Sequence, residues 1–154
     1  MTRKFILMVP VVFVLFAGPA MGQIMFKDVY TGANGSNPSN MTRIGNVVIF
    51  SAECYDPTFG YLGRELWRSD GTSNGTYLLK DIYPTAGGGS DPDHLTAVGT
   101  QVVFVALSYN ASLGNMGREL WRTDGTSNGT YLLKDIYPTA SGGSDPSNLT
   151  VAGS

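Results

Sequence analysis

One long segment that occurs twice constrains this chain more than any other feature. GRELWRTDGTSNGTYLLKDIYPTA runs from Gly117 to Ala140, and the segment from Gly63 to Ala86 differs from it only by Ser69 in place of Thr123. The two copies are separated by a period of about 54 residues, which is typical of propellers and other repeat arrays. In such arrays each unit is one supersecondary element.

Three copies of a longer unit follow one another along the chain. They begin at Lys27, Lys80 and Lys134, so successive units start at nearly equal intervals. After a leader over residues 1–22, this spacing gives a first unit over 23–79, a second unit over 80–133 and a partial third unit over 134–154.

The leader has the features of a secretory signal peptide. Basic residues at positions 3 and 4 precede an apolar run from Ile6 to Ala17, which is too short to span a bilayer comfortably. The small residues Ala20 and Gly22 predict cleavage before Gln23. We therefore predict a secreted or cell-surface protein with no membrane span after cleavage.

Charge and cysteine content exclude several classes of function. The formal net charge is −2 and no basic run is present, so a nucleic-acid partner is not expected. Cys54 is the single cysteine and cannot form an intramolecular disulfide, which means that stability must come from burial. We interpret Cys54, whose counterpart one period later is Ser108, as a small buried side chain, with an intermolecular bridge as the alternative.

Each unit is predicted to contain four short strands. In the second unit they are Leu95–Val98, Gln101–Leu107, Glu119–Thr123 and Thr130–Tyr137, and an irregular loop joins the middle two. Both alternating sets of side chains over Val102–Leu107 are apolar, which indicates a sheet buried on both faces. Stacked sheets of this kind occur in propellers. We predict an all-β fold of tandem four-stranded antiparallel blades of β-propeller type, incomplete, with two full repeats and a partial third.

The hairpin between the third and fourth strands is expected to depend on turn chemistry and charge. Asp124 should accept a hydrogen bond from the Thr126 amide in an Asx-turn. An attractive arrangement of charges predicts the strand register. This register pairs Arg64 with Asp81, Glu65 with Lys80 and Trp67 with Leu78, and in the second copy Arg118 with Asp135 and Glu119 with Lys134.

The runs Glu65–Thr72 and Glu119–Thr126 both read Glu-Leu-Trp, then two residues, then Asp-Gly-Thr. With the flanking Ser90-Asp91-Pro92, they resemble the ELWxxDGT repeat family, which is seen mostly in secreted or surface proteins of bacteria. The resemblance covers nearly everything after the leader and implies tandem propeller-like blades, extracellular placement and no established activity. Its structural motif residues are Glu65, Trp67, Asp70 and Gly71 and, one period later, Glu119, Trp121, Asp124 and Gly125.

The number of units is smaller than such arrays usually have. A propeller closes with about four to eight blades, and repeat units generally need about three or more copies to bury their faces. Uncovered apolar faces and strand edges are therefore expected. We favour the interpretation that the chain is a piece of a longer array. The alternative is a homo-oligomeric ring, in which a strand predicted at Leu149–Ala152 completes the blade of a neighbour.

No pattern of residues predicts catalysis, a cofactor or a metal site. His94 is the only histidine, and Asn40 and Asn148 occupy its position in the other copies. A general base needs a reacting partner and a metal ion needs several ligands, so we interpret His94 as a solvated loop residue. The aspartates at the turns lack the spacing of calcium-binding loops. We expect no enzymatic activity.

Binding residues are predicted where the two units differ most, over Glu53–Leu62 and Leu107–Met116. Loops on a rigid repeat scaffold usually carry the binding surface. By contrast, Trp67 and Trp121 stand at a repeated strand position and are interpreted as core between blades. The ligand-binding candidates are Tyr55, Asp56, Phe59, Tyr61, Tyr109 and Asn110.

Two functions follow from these observations. The leading prediction is a secreted, non-enzymatic repeat protein that acts as an adhesion or interaction scaffold, or a fragment of a longer array with that role. The alternative is a small glycan-binding lectin built as an oligomeric propeller. The expected partner is accordingly a protein or a glycan.

Overall fold

The computed structural model of the chain describes residues 27–31, 33–139 and 142–152. These residues form eight β-strands in two four-stranded antiparallel sheets and contain no helix, which confirms the all-β prediction. Accordingly, no helix in the described ranges is long and apolar enough to cross a membrane. The predicted signal peptide at residues 1–22 lies outside the described residues.

Each sheet is a meander in which consecutive strands pair with one another. The two sheets are separate and open, and the described residues do not close into a ring. The first sheet contains β1 (Ser39–Ile44), β2 (Val47–Asp56), β3 (Gly60–Ser69) and β4 (Tyr77–Lys80). The second contains β5 (Asp93–Val98), β6 (Gln101–Asn110), β7 (Gly114–Thr123) and β8 (Tyr131–Lys134).

The middle strands of each sheet are longer than the sequence predicts. The segment expected to be an irregular loop is the far end of the β6–β7 hairpin, closed by a turn at residues 111–113. A β-bulge between Ser108 and Tyr109 interrupts the pairing, and the first sheet has the same bulge between Cys54 and Tyr55. A bulge inserts one extra residue and breaks the alternation of buried and exposed side chains, which explains the wrong prediction.

The strand predicted at Leu149–Ala152 is wrong, because residues 142–152 contain no strand. Its counterparts β1 and β5 each pair with the strand that follows them, β2 and β6. No described strand follows Leu149–Ala152, so its backbone groups have no ladder to join.

The two sheets stack face to face around a shared core. The covered face of the first sheet includes Ile44, Ile49, Leu66 and Leu79, together with Ile82 just after β4, and the second sheet packs Val102, Phe104, Ala106 and Trp121 against it. We call the equivalent side of the second sheet, which carries Val98, Leu120 and Leu133 with Ile136 just after β8, the open face. The other side of the first sheet, the leading face, carries Met41, Val48, Phe50 and Trp67. The prediction that the two tryptophans lie in a core between units is confirmed for Trp121, which lies between the stacked sheets. Trp67 is buried as well, but in a separate cluster of the first unit with Val29 and Phe50.

Candidate functional site

The Asp-Gly-Thr turn that joins β7 to β8 is a self-bonded loop. The Asp124 carboxylate accepts hydrogen bonds from the Thr126 amide at 2.9 Å and from the Thr126 hydroxyl at 2.7 Å. These two bonds lower the pKa of Asp124. Gly125 follows with a φ of +88°, which an L side chain rarely adopts. The turn in the first sheet has the same bonds between Asp70 and Thr72, so the predicted Asx-turn is confirmed.

This turn also contacts the neighbouring sheet. Gly125 lies against Val47 and Ile44 of the first sheet, and its carbonyl oxygen accepts a hydrogen bond of 3.1 Å from the Arg68 guanidinium. Lys80 Nζ donates to the Thr130 carbonyl oxygen at 3.0 Å. The repeated motif therefore carries the groups that hold one sheet against the next.

The predicted charge-paired register is wrong beyond the middle of the hairpin. Trp67 does pair with Leu78, but a bulge between Leu66 and Trp67 places Lys80 opposite Leu66 rather than Glu65. The second sheet has the same shift, so Lys134 lies opposite Leu120 and not Glu119. The ion pairs formed by the arginines of the motif are Arg64 with Glu53 and Arg118 with Asp93, instead of the expected pairs with Asp81 and Asp135.

Glu65 is buried and tied to the connection between the two sheets. Its carboxylate accepts hydrogen bonds from the Ile82 amide at 3.0 Å, the Ser90 amide at 2.8 Å and the Ser90 hydroxyl at 2.6 Å. Burial raises its pKa to about 7, although these three donors oppose the shift. Glu119 makes the same bonds to Ile136 and Ser144. The glutamate of the motif therefore fixes the path of the connecting segment.

Backbone atoms approach closely where this connection passes the third strand. An atom at the Cβ position of Gly63 would lie 2.5 Å from the Gly89 Cα atom, and Gly117 and Gly143 repeat the contact. Both members of each pair must therefore lack a side chain. This requirement is visible in the sequence only as glycines that recur at matching positions of the units.

The tryptophan of the motif has different partners in the two sheets. Trp121 Nε1 donates to the Ser108 hydroxyl at 2.7 Å. Cys54 stands in the place of Ser108 in the first sheet, and the buried Trp67 Nε1 has no hydrogen-bond partner there. Burial raises the pKa of the Cys54 thiol to about 12. The prediction that Cys54 is a buried side chain is confirmed.

The ligand-binding candidates lie at the ends of the β2–β3 and β6–β7 hairpins. Phe59 is 76% exposed at the tip of the first hairpin, and Leu113 is 62% exposed at the equivalent tip of the second. Tyr55 and Tyr61 flank the first tip and Tyr109 the second, and all three are partly exposed. The exposed tips were expected from the sequence, except for Leu113, which lies one period after Phe59 and has the same position.

Asp56 and Asn110, also predicted to bind a ligand, have a structural contact. Asp56 Oδ1 accepts hydrogen bonds from the amides of Thr58 and Phe59 at 2.7 and 3.0 Å. Asn110 Oδ1 accepts the same two bonds in the second hairpin, at 2.8 and 3.1 Å. Both side chains therefore shape the turn that presents the apolar tip residue.

Tyrosines from the connecting segments support the hairpins. Tyr30 lies beside Tyr55 and Tyr61, with ring centroids 5.9 and 6.3 Å apart. In the second unit the Tyr83 ring meets Tyr109 edge-on at 5.7 Å. Partial burial raises the pKa of Tyr61. The first hairpin thus carries a cluster of three tyrosines, which sequence reasoning did not predict because Tyr30 is distant in the chain.

His94 occupies a special backbone position. Its φ is +52°, and Asn40 and Asn148, which take its place in the other units, both have a φ of +55°. Asparagine and histidine are enriched at such left-handed positions, and β5 has a bulge at this point. The described residues contain no group of three or more His, Cys, Asp or Glu side chains that could hold a metal ion.

The geometry therefore presents two exposed hairpin tips on a stacked pair of sheets whose repeated residues serve packing. Comparisons of the chain with protein-family models, with curated proteins and with solved structures found no match.

Proposed function

We propose that this chain is a secreted or cell-surface, non-enzymatic repeat protein that acts as an adhesion or interaction scaffold, on its own or as part of a longer propeller-like array. The observation that carries the proposal is the pair of hairpin tips, Phe59 and Leu113, which expose 76% and 62% of their surface. Large apolar side chains at the summit of an ordered turn contribute little to the core, and loops held on a rigid scaffold usually carry the binding residues.

The rest of the unit supports the role of a scaffold. Turn bonds, buried glutamates and inter-sheet bonds account for the residues that the two units share, whereas the tips differ in side chain and keep the same backbone design. The resemblance to the ELWxxDGT repeat family and the signal-like leader support extracellular placement. A rigid frame with variable tips is the arrangement that repeat proteins use for binding.

The test is a binding measurement on the purified protein with substitutions at the tips. The probes are an immobilised panel of extracellular-matrix proteins and a glycan array, read with the fluorescently labelled chain. Replacing Phe59 and Leu113 by serine should reduce protein binding at least tenfold, since the loss of an apolar anchor at an interface commonly costs about 1.4 kcal/mol or more. Val151→Ser is the matched control, because Val151 is also exposed and lies outside the hairpins. Equal binding by the tip variant and the control would remove the proposal.

A glycan-binding lectin is the second candidate, and the tyrosine cluster favours it. Tyr30 of the preceding segment packs beside Tyr55 and Tyr61 of the first hairpin, and the latter two side chains are partly exposed. Aromatic rings with one free face offer an apolar platform and a polar hydroxyl. The lectin hypothesis predicts glycan-array signals that disappear in Tyr55→Ala or Tyr109→Ala. A protein that binds matrix proteins and no glycan would leave only the first function.

A further inference from the structure

The open face of the second sheet is exposed at positions where the first sheet is buried. Leu133 is 45% exposed and Ile136 52%, whereas their counterparts Leu79 and Ile82 are 1% and 3% exposed. The amino acids at these positions are identical in the two sheets. The difference therefore arises from what packs against each sheet.

The internal interface shows which kind of structure covers these positions. Leu79 and Ile82 are buried by the second sheet, which contributes Phe104 and Trp121 to the shared core. The Gly125 turn packs over the same face of the first sheet. The cover is thus a four-stranded sheet of this repeat, together with its Asp-Gly-Thr turn.

The polar groups beside the open face repeat the same pattern. Arg68 and Lys80 donate to the carbonyl oxygens of Gly125 and Thr130 in the neighbouring sheet. Their counterparts Arg122 and Lys134 donate no such hydrogen bond within the part of the chain that the structure describes, where the Arg122 guanidinium lies over the Tyr131 ring. The open face therefore has the donors of the internal interface as well as its apolar surface.

The leading face of the first sheet carries residues equivalent to the other half of this interface. Phe50 and Trp67 are already buried in a cluster with Val29, so the uncovered part of the face is Met41 and Val48. Met41 is exposed and Val48 is half-buried, whereas their counterparts in the second sheet pack into the shared core, where Val102 is fully buried. Val29 also contacts this face. That contact is compatible with a further sheet, since Ile82, the equivalent of Val29, occupies the shared core between the two sheets.

We propose that a second copy of this chain covers the open face with the leading face of its own first sheet. In this head-to-tail contact Arg122 and Lys134 donate to the carbonyl oxygens of Gly71 and Thr76 in the second copy, as Arg68 and Lys80 do internally. Both halves of the contact belong to one sequence, so each copy keeps one half free for the next. Such a heterologous contact extends until it closes into a ring or forms a filament.

The experiment measures the molar mass of the purified protein by light scattering coupled to size exclusion, with its N-terminus defined by mass spectrometry. Wild-type protein should form oligomers, and Leu133→Glu and Met41→Glu, each of which blocks one half of the contact, should be monomers. Both positions are exposed, so neither variant should disturb folding, and circular dichroism checks that each retains its sheet signal. Leu113→Glu, at a hairpin tip, is the control and should associate like the wild type.

A mixture of the two blocked variants gives the sharpest result. The intact open face of the Met41→Glu chain can bind the intact leading face of the Leu133→Glu chain, while the remaining faces are blocked. The mixture should therefore contain a species of twice the monomer mass and none larger. A monomeric wild type would overturn the proposal, as would unchanged association of Leu133→Glu. Unchanged association of Met41→Glu would also overturn it, because it indicates contact between two open faces.

This association is separate from the proposed function, which depends on the hairpin tips. Serine at Phe59 and Leu113 should reduce ligand binding at least tenfold and leave the molar mass of the assembly unchanged. Leu133→Glu should lower the molar mass of the assembly measured by light scattering, while each single chain keeps its ability to bind the ligand. Failure of either idea can therefore be recognised without reference to the other.

Discussion

Single residues of the repeated unit act mainly through buried hydrogen bonds. Glu65 accepts three bonds from the connecting segment, and Trp121 donates one to Ser108. Buried polar groups are costly when they lack a partner, because they lose their bonds to water. The position of Cys54 is the exception, since the Trp67 N–H beside it has no partner. The unit therefore contains a natural comparison of the same indole with and without an acceptor.

The tryptophan pair leads to the first prediction. Ser108→Ala should lower the free energy of unfolding by about 1–3 kcal/mol, because it leaves the Trp121 N–H buried without an acceptor. Cys54→Ser supplies the missing acceptor to Trp67 and should leave the stability unchanged or raise it by about 1 kcal/mol. Urea denaturation monitored by tryptophan fluorescence measures both values. A Cys54→Ser variant less stable than Ser108→Ala would contradict this assignment.

Glu65 leads to a prediction of pH dependence. Its pKa is about 7 in the folded protein and, for an ordinary glutamate, about 4.3 in the unfolded chain. The folded state then binds the proton more tightly, so the contribution of Glu65 is fully present below about pH 4 and is lost as the pH rises through about 7. The free energy of unfolding should therefore decrease between these two pH values and level off above them.

Glu65→Gln is the variant that isolates this effect. Glutamine does not titrate, so the decrease assigned to Glu65 should disappear from the pH profile of the variant. The variant should also lose about 1–3 kcal/mol through imperfect pairing with the Ile82 amide, which needs an acceptor. A wild-type slope that persists in Glu65→Gln would show that another group is responsible.

At the scale of the elements, the sequence predicted four strands per unit because apolar alternation and turn residues are local signals. It predicted the wrong lengths for β6 and β7, since the bulge at Ser108 and Tyr109 breaks that alternation. The charge-based register failed for a different reason. Opposite charges favour pairing of Glu65 with Lys80 when only these two strands are considered. In the structure Glu65 accepts hydrogen bonds from amides of the connecting segment, and Lys80 donates one to the next sheet. Those partners are distant in sequence and leave no local pattern.

The same contrast applies to the candidate site. Tyr55, Phe59, Tyr61 and Tyr109 were predictable because the units differ there, and the structure leaves all four at least partly exposed. The roles of Asp56 and Asn110 were missed, because a carboxylate and an amide that cap a tight turn look like polar ligand groups in a sequence. The sequence signal that could have revealed this structural role is that Asp56 and Asn110 occupy the same position in the two units, one period apart.

The hairpin tips lead to a prediction about local order. Asp56→Ala removes the acceptor for the Thr58 and Phe59 amides, so hydrogen exchange of these two amides should become about tenfold faster, as expected for the loss of about 1.4 kcal/mol. Asp56→Asn is the matched control, because Asn110 makes the same bonds in the second hairpin. Exchange that is equally slow in Asp56→Ala would mean that strand pairing alone holds the tip.

For the whole molecule, stability depends on the contact between the two sheets. Both sheets carry residues suited to this contact, but only the face of the first sheet is covered by another sheet. One interface joins the sheets through the shared core and the bonds from Arg68 and Lys80. The open face carries the same amino acids at Leu120, Leu133 and Ile136, without the contact. In repeat proteins the total stability is approximately a sum of unit terms and interface terms. Identical substitutions on the two faces should therefore measure the interface term directly.

Leu79 and Leu133 provide that comparison. Leu79→Ala should lower the free energy of unfolding by about 2–5 kcal/mol, since it leaves a cavity in the shared core at a residue that is 1% exposed. Leu133→Ala should cost less than about 1 kcal/mol in dilute solution, because Leu133 is already 45% exposed. Urea denaturation at low protein concentration measures both. If a second copy covers the open face, the cost of Leu133→Ala should grow with protein concentration while that of Leu79→Ala stays constant, because only the former removes a contact governed by mass action. Equal costs at every concentration would mean that the two faces are packed alike within a single chain.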